Sequence, residues 1–515
     1  MKILSLKPDH DGTVSFIEDE KLIFSVEAEK NNFLRMASLD SNAILSSLRL
    51  LESVPDVFAL GGWIPVDNFN SGYTGLLDIK SVKQNYLGKT CHHFSSSHER
   101  SHIYCSYGLS PFPEGTECYA LIWEGRIGSF YYINSKAEVS LVKQIMTMPG
   151  TKYVYPYLLC HPTSEEITGG IYAGTIMALA AYNKDIEPSN WELDILKKLC
   201  KLDNQSLLRT HEFTSLDFYR RGVDTDLCKR LSRLMSDMIF KEFYEYAEKN
   251  LTLGLPLLIS GGCGLNCEWN TKWKKSGLFP EIFIPPCAND SGSSIGTAID
   301  AQRFYTNKSK IKWSVYAGQE FIMDNTNLED DFIVMDLNLE FLASLLHQGK
   351  IFAWVQGKYE MGPRALGNRS LLASPFNSLT KDRINKIKER ERFRPVAPVC
   401  LEEDVGLHFE WSGPSPYMLF FQTVRNKQLE AITHVDGTAR VQTVNKDQNF
   451  LLHELLAEFR KQSGVGVLCN TSLNYPRRGF INQMRDLVFY SKARGLDGFV
   501  VSQKMYLSTK NNSQI

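Results

Sequence analysis

The sequence predicts an α/β protein of at least two domains, and three observations carry that expectation. Its 515 residues exceed the roughly 250 to 300 that a single hydrophobic core usually organises. Short apolar patterns of strand type alternate with longer helical ones along the chain. The stretch Thr306 to Phe332 is polar and nearly aperiodic, rich in Lys, Asn and Asp, and marks a domain boundary.

The elements follow in order. Ile3 to Leu6 reads as a first strand, and Thr13 to Ile17 with Leu22 to Val26 reads as a hairpin turning at Glu18, Asp19 and Glu20. A helix is expected over Ser41 to Leu51, then a strand over Val57 to Leu60 running into Gly61. Ala120 to Tyr132 forms another hairpin, broken at Glu124-Gly125, and Gly170 to Tyr182 and Asp226 to Asn250 carry helical patterns. Pro256 to Ser260 is a strand ending at Gly261-Gly262. Beyond the boundary come a helix over Asn338 to Gln348, the strand Ile351 to Val355, short buried strands at Gly466 to Cys469 and Gly498 to Val501, and a frayed tail from Thr509. No repeat of 20 to 50 residues occurs.

With 43% hydrophobic and 22% charged residues the composition fits a folded chain and excludes wholesale disorder. The formal net charge of -1 gives no global pull toward nucleic acid or anionic membrane, so any anion site must be local. The longest apolar stretches, such as Leu251 to Ser260, fall short of the roughly 20 residues of a membrane helix. The opening MKILSLKPDHDGTVSF breaks after a few apolar residues, which fits a strand rather than a signal peptide and predicts a cytoplasmic protein. Eleven cysteines without a CxxC pair argue against a disulfide framework or a zinc ribbon, and Cys263 and Cys267 read as small buried residues.

Several constellations carry chemistry. His98 and His102 stand at i and i+4, where a helix presents two imidazoles to one metal, although two histidines on a solvated face give the same spacing. Asp290 lies in a Gly/Ser-rich loop that opens a helix, a place for a carboxylate near a metal or phosphates, and His10 with Asp11 is a similar loop-end group. In LLISGGCGLNCEWN a strand meets a double glycine and a helix start, so backbone can approach a ligand closely, or simply turn tightly. From Lys358 to Arg394 ten basic residues face four acids, a local charge of +6. Arginine forks there suit phosphates or an acyl phosphate, whereas Lys386 and Lys388 fit a solvated basic helix better than Arg364 and Arg369 in GPRALGNRS do.

These residues carry a resemblance. GKYEMGPRALGNRSLLASPF, INKIKERERFRPVAPV, HVDGTARVQTV and LCNTSLN, in that order, resemble the NodU/CmcH carbamoyltransferase family, which includes antibiotic O-carbamoyltransferases. Fainter ordered matches are HDGT, HERSHIYCSYGLSPF, GGCGLNCEWN and NDSGSSIGTA, so the likeness spans almost the whole chain. It implies an N-terminal ASKHA-type (actin/Hsp70-like ATPase) domain over 1–325 and a C-terminal YrdC-like α/β domain over 336–515. The C-terminal domain would form carbamoyladenylate from carbamoyl phosphate and ATP with Mg. The N-terminal domain would pass the carbamoyl group to an acceptor hydroxyl on a sugar or natural product.

The resemblance also implies roles. His98, His102 and Asp290 become ligands of a divalent, iron-like metal, with Glu124 standing where the family has an Asp. Gly261, Gly262, Asn266 and Asn289 become contacts to carbamoyladenylate in the N-terminal domain, and His10 the base for the acceptor proton. Lys358, Arg364, Arg369, Arg392, Arg394, Asn470, Thr471 and Ser472 become the ATP and carbamoyl-phosphate pocket, with Arg364 and Arg394 also catalytic. Departures occur at Glu99, at Thr175 in place of a lysine, and at Ala28 to Asn32, AEKNN, in place of an arginine-rich block. The expected partners are carbamoyl phosphate, ATP and a hydroxyl acceptor, with no membrane, no nucleic acid, and a homodimer compatible with the likeness. The competing readings are a double-stranded RNA-binding module, which the neutral charge opposes, and carbamoyl transfer to tRNA or a maturation protein.

Overall fold

The computed structural model describes residues 1–515 apart from 33, 63–79, 87, 164–171, 183–186, 253, 327, 329–330, 477 and 510–515. Its strands are β1 Lys2–Lys7, β2 Thr13–Glu18, β3 Lys21–Glu27, β4 Val57–Gly61, β5 Lys80–Tyr86, β6 Lys89–Ser96, β7 Cys118–Trp123, β8 Ile127–Ile133, β9 Val139–Thr147, β10 Leu257–Ser260 and β11 Ile282–Phe283 in the first three hundred residues. Two sheets form there, ordered β3-β2-β1-β4-β6-β5 and β11-β10-β7-β8-β9. In each, three antiparallel strands (β1 to β3, β7 to β9) are followed by parallel additions beside the first of them (β4 and β6, β10 and β11). The fold is α/β, and the two sheets of this half repeat one strand arrangement. The duplication is far longer than a solenoid repeat and leaves no short period in the sequence.

The second half is one sheet of eight strands, β12 Phe332–Asp336, β13 Phe352–Val355, β14 Arg369–Ala373, β15 Ala397–Leu401, β18 Gln442–Val444, β19 Val467–Ser472, β20 Gly498–Val501 and β21 Lys504–Ser508, ordered β12-β21-β20-β13-β14-β19-β15-β18. A two-stranded ribbon of β16 Gln422–Thr423 and β17 Thr438–Ala439 lies beside it. Strands β13, β14 and β15 are buried at every position, which is why β13, FAWV, reads as a short continuous apolar run rather than an alternating one.

Helices follow the expected pattern with shorter ends. Ser41–Leu48, Asp226–Asn250 and Leu339–His347 form as expected. The helix expected over Gly170 to Tyr182 is described over Ala173–Leu179, with 170 and 171 outside the described residues, as are 510–515 of the tail. Between the two N-terminal sheets the helices His98–Leu109 and Ser293–Thr306 cross closely. Gly296 makes that crossing possible, since a Cβ there would lie 1.7 Å from Ser101 O. Beside it, Trp123 at the end of β7 stacks on Trp269 with ring centroids 4.3 Å apart and fixes the strand end in the core. Among the described residues no helix is long and apolar enough to cross a membrane.

Candidate functional site

The first centre sits where the two N-terminal sheets meet. Ser97 caps the helix His98–Leu109 by accepting the Arg100 amide, which starts the helix so that His98 and His102 lie on one inward face. Their rings are 4.8 Å apart at nearly right angles. Glu124 follows Trp123 at the β7–β8 turn, its amide closed on Ile127 O. Asp290 opens a single 3-10 turn ahead of the helix Ser293–Thr306. His98, His102, Glu124 and Asp290 are all buried, and one ligand atom from each lies within 4.8 Å of every other.

The contacts among them are ion pairs. His98 Nε2 is 2.8 Å from Glu124 Oε2, and His102 Nε2 is 3.3 Å from both Glu124 Oε2 and Asp290 Oδ1. Burial disfavours charge on His102, but Asp290 and Glu124 outweigh it and raise its pKa to about 10. Burial likewise works against the Glu124 carboxylate, yet His98 and His102 bring its pKa down to about 2. Asp290 is held far below its usual range against burial by Lys7 and His98, with Lys7 Nζ 3.3 Å from Oδ2. The two carboxylates thus favour the charged form of the His102 imidazole.

A divalent metal fits this donor set. Glu124 Oε1 is buried with no partner, and His102 Nε2 and Asp290 Oδ2 are buried with ion pairs of 3.3 Å but no hydrogen bond, an arrangement open to an ion. Bonds of about 2 Å from a central cation reach such a group with small side-chain shifts. His102 Nδ1 lies 3.3 Å from Ser260 Oγ, an outer partner that fixes which ring nitrogen faces the centre. The longer arm of Glu124 compared with an Asp therefore still delivers a carboxylate into the group.

His10, half exposed, places Nε2 3.6 Å from Asp290 Oδ2 and Nδ1 3.4 Å from Asp11 Oδ2, and Asp11 raises its pKa to about 9. Gly261 has φ +94 and would drive a Cβ to 2.5 Å from Trp123 O, while a Cβ on Gly262 would meet open space. Asn266 caps the helix Cys267–Ser276 and keeps its Nδ2 unpartnered, and Asn289 accepts from Ser291 Oγ. Cys267 is buried, whereas Cys263 is half-buried, and neither joins the ligand group.

The second centre is cationic and straddles the two halves. Arg364 Nη2 donates to Leu265 O in the double-glycine loop, 3.2 Å away, and Arg394 Nη1 donates to Thr175 Oγ1 at 2.5 Å. Arg390 and Arg440 join them. Burial, then the charge of Arg440, pushes Arg364 down to about 9; burial, then Arg394 and Arg440, does the same to Arg390. The guanidinium of Arg440 makes no hydrogen bond or ion pair among the described residues, and its Nε is a buried orphan, as is that of Arg364. Among the described residues, four arginines that repel one another are answered only by Glu391 at 3.8 Å from Arg394, an arrangement that suits a polyanion.

Other expected pocket residues are placed differently. Arg369 is fully buried, with its guanidinium donating to Asn482 Oδ1 and to the carbonyls of Gln356, Gly357 and Asn368, so it braces the sheet and has no donor to offer. Arg392 lies at the surface, 84% exposed and paired with Asp382. Lys358 is half-buried, and its carbonyl accepts from Asn368. Asn470 is buried, donates to Gln442 Oε1 and Ala365 O, and keeps Oδ1 unpartnered; Thr471 and Ser472 are half-buried beside it on β19.

Lys388 corrects the sequence reading outright. It is buried rather than solvated, and its ammonium donates to Ser472 O at 2.6 Å and Asn474 O at 3.0 Å. Burial holds its pKa well below the usual lysine range. Lys386, one residue short of the helix end, is exposed as expected. The sequence reading counted Arg390 in the basic run without assigning it to the pocket, and it missed Arg440. The signal for Arg440 was its place in HVDGTARVQTV, far from the basic run but carried in by the β17–β18 turn.

Buried acids and histidines open to a cation, joined through one loop to a cluster of arginines in charge excess, suit a group-transfer enzyme. The chain belongs to the carbamoyltransferase family: the Carbamoyltransferase N-terminus model matches residues 74–299 and the Carbamoyltransferase C-terminus model residues 343–508. It is a carbamoyltransferase. It is 42% identical over 98% of its length and 99% of the relative to a 3'-hydroxymethylcephem-O-carbamoyltransferase of Amycolatopsis lactamdurans, and 41% identical, over the same shares, to one of Streptomyces clavuligerus. Nodulation protein U of Rhizobium tropici is 31% identical, over 93% of this chain and 92% of that protein.

Proposed function

We propose that the enzyme carries a carbamoyl group from carbamoyl phosphate, by way of carbamoyladenylate, to a hydroxyl of a small natural product. A hydroxymethyl group on a cephem-like scaffold is the favoured acceptor, because the cephem carbamoyltransferases match along nearly their full length. The observation that carries the reading is the arginine cluster at the seam of the two halves, answered among the described residues by the single carboxylate of Glu391 and linked through Leu265 to the loop beneath Glu124.

In the C-terminal, YrdC-like half, water cleaves carbamoyl phosphate to carbamate and phosphate, and a carbamate oxygen then attacks the α-phosphorus of ATP-Mg to release pyrophosphate. Arg364, Arg390, Arg394 and Arg440 bind the phosphates and offset the charge that gathers on them. In the N-terminal half the acceptor oxygen takes the carbamoyl carbon and AMP leaves. Gly261 and Gly262 bring backbone against the intermediate, Asn266 and Asn289 flank it, and the acceptor proton passes to the neutral form of His10, whose raised pKa makes transfer favour alkaline pH. His98, His102, Glu124 and Asp290 would hold an iron-like divalent cation, which supplies Lewis-acid polarisation of the carbamoyl carbonyl.

The test is an assay of phosphate, pyrophosphate and AMP with carbamoyl phosphate and ATP, with and without a 3-hydroxymethylcephem, and mass spectrometry of the carbamate ester. Pyrophosphate that depends on carbamoyl phosphate but not on acceptor is expected. Ester formed without ATP would refute the two-step scheme.

A further inference from the structure

Lys30, in the short helix Ala28–Asn32, is 1% exposed. A lysine is buried so completely only when its three donors are met. Here they are. Nζ donates to Glu27 Oε1 at 2.8 Å and, across to the other half of the chain, to Glu360 O at 2.6 Å and Gly362 O at 2.8 Å. Glu27 Oε1 in turn accepts the Gly362 amide at 2.7 Å. The rings of Tyr359 and Phe480 flank the ammonium at 5.0 and 4.7 Å, so the C-terminal half supplies both its acceptors and its walls.

The loop gripped in this way carries a member of the arginine cluster and packs against the segment that leads to Asp290. Gly362, at φ +80, lies so close to Pro286 that a Cβ would stand 2.3 Å from its carbonyl oxygen, four residues before Asp290. Two residues further on, Arg364 belongs to the arginine cluster and reaches Leu265 O. Within its own half the loop is shaped independently of Lys30, since Glu360 Oε1 accepts the amides of Leu366, Asn368 and Arg369. Loss of Lys30 therefore leaves the loop folded and releases only its seat on the N-terminal half.

We propose that Lys30, with Glu27, is a positioning residue that docks loop 359–364 on the N-terminal half and so couples formation of the activated carbamoyl group to its transfer. The proposal rests on the two-step reading above. An undocked loop leaves the intermediate made in one half out of register with the acceptor in the other, where water takes the carbamoyl group instead and yields carbamate and AMP.

The experiment compares pyrophosphate release without acceptor against carbamoyl ester formed with acceptor, in the full-length wild type, Lys30→Met and Glu27→Gln. Lys30→Met keeps the apolar contact with both rings, and Glu27→Gln keeps an acceptor for the Gly362 amide. In both variants pyrophosphate release should stay within about twofold of wild type while ester formation falls about 10 to 100-fold in Lys30→Met, the scale of loss that a misplaced reacting group produces, and less in Glu27→Gln. Equal loss of both activities, or an unchanged ratio of pyrophosphate to ester, would overturn the proposal. If Lys30→Met does not fold by near-UV circular dichroism, the ratio in Glu27→Gln decides alone. A wild type that releases no pyrophosphate would instead bring down the two-step reading, whatever the variants do.

Discussion

Arg440→Met should act in opposite directions on the free and the loaded enzyme. In the free protein the Arg440 guanidinium has no partner among the described residues and its charge disfavours that of Arg364 and Arg390. Replacing it with an apolar chain of similar length loses no hydrogen bond and relieves repulsion of about 1 kcal/mol after screening. The free variant should unfold about 1 to 3 °C higher. With phosphates bound, the same guanidinium supplies a charge-assisted contact of about 1.5 to 3 kcal/mol, a 10 to 100-fold affinity loss on removal. At a ligand concentration about 100 times the wild-type Kd, stabilisation of about 2.7 kcal/mol should shrink to about 0.4 to 1.4 kcal/mol. Thermal unfolding with and without a non-hydrolysable ATP analogue measures both arms. A free variant that melts lower, together with an undiminished response to the analogue, would refute the assignment of Arg440 to an anion site.

His102→Ala should remove the central ligand of the metal group, so metal content by elemental analysis and ester formation should both collapse while pyrophosphate release continues. Ser260→Ala leaves all four ligands and deletes only the outer contact to His102 Nδ1; metal affinity should fall about tenfold, measured by competition with a chelator. Gly296→Ala should destabilise by about 2 to 3 kcal/mol in urea unfolding, since the clash with Ser101 O exceeds the gain of about 1 kcal/mol in helix propensity, and it should lower metal content by shifting the helix of His98 and His102.

Local order was legible in the sequence wherever a few neighbouring residues decide it. The hairpin of β2 and β3, the i, i+4 histidines and the strand-to-glycine turn at Ser260-Gly261 depend on periodicity, turn chemistry and a missing Cβ, all of which are written over short spans. The family motifs likewise gave the candidate ligand set, whose four members meet in space as buried groups. What the sequence could not show is which charges share a volume. Arg369 and Arg364 stand five residues apart in one motif, yet β14 turns the first into the sheet, where carbonyls absorb its donors, and the loop leaves the second facing Leu265. Lys388 reads as a surface lysine because helical spacing cannot reveal that β19 passes over its end, and Arg440 joins the cluster only because β17 and β18 return there. Charge count is a property of the chain, but its energy depends on distance and burial, and those were decided by the packing of strands hundreds of residues apart.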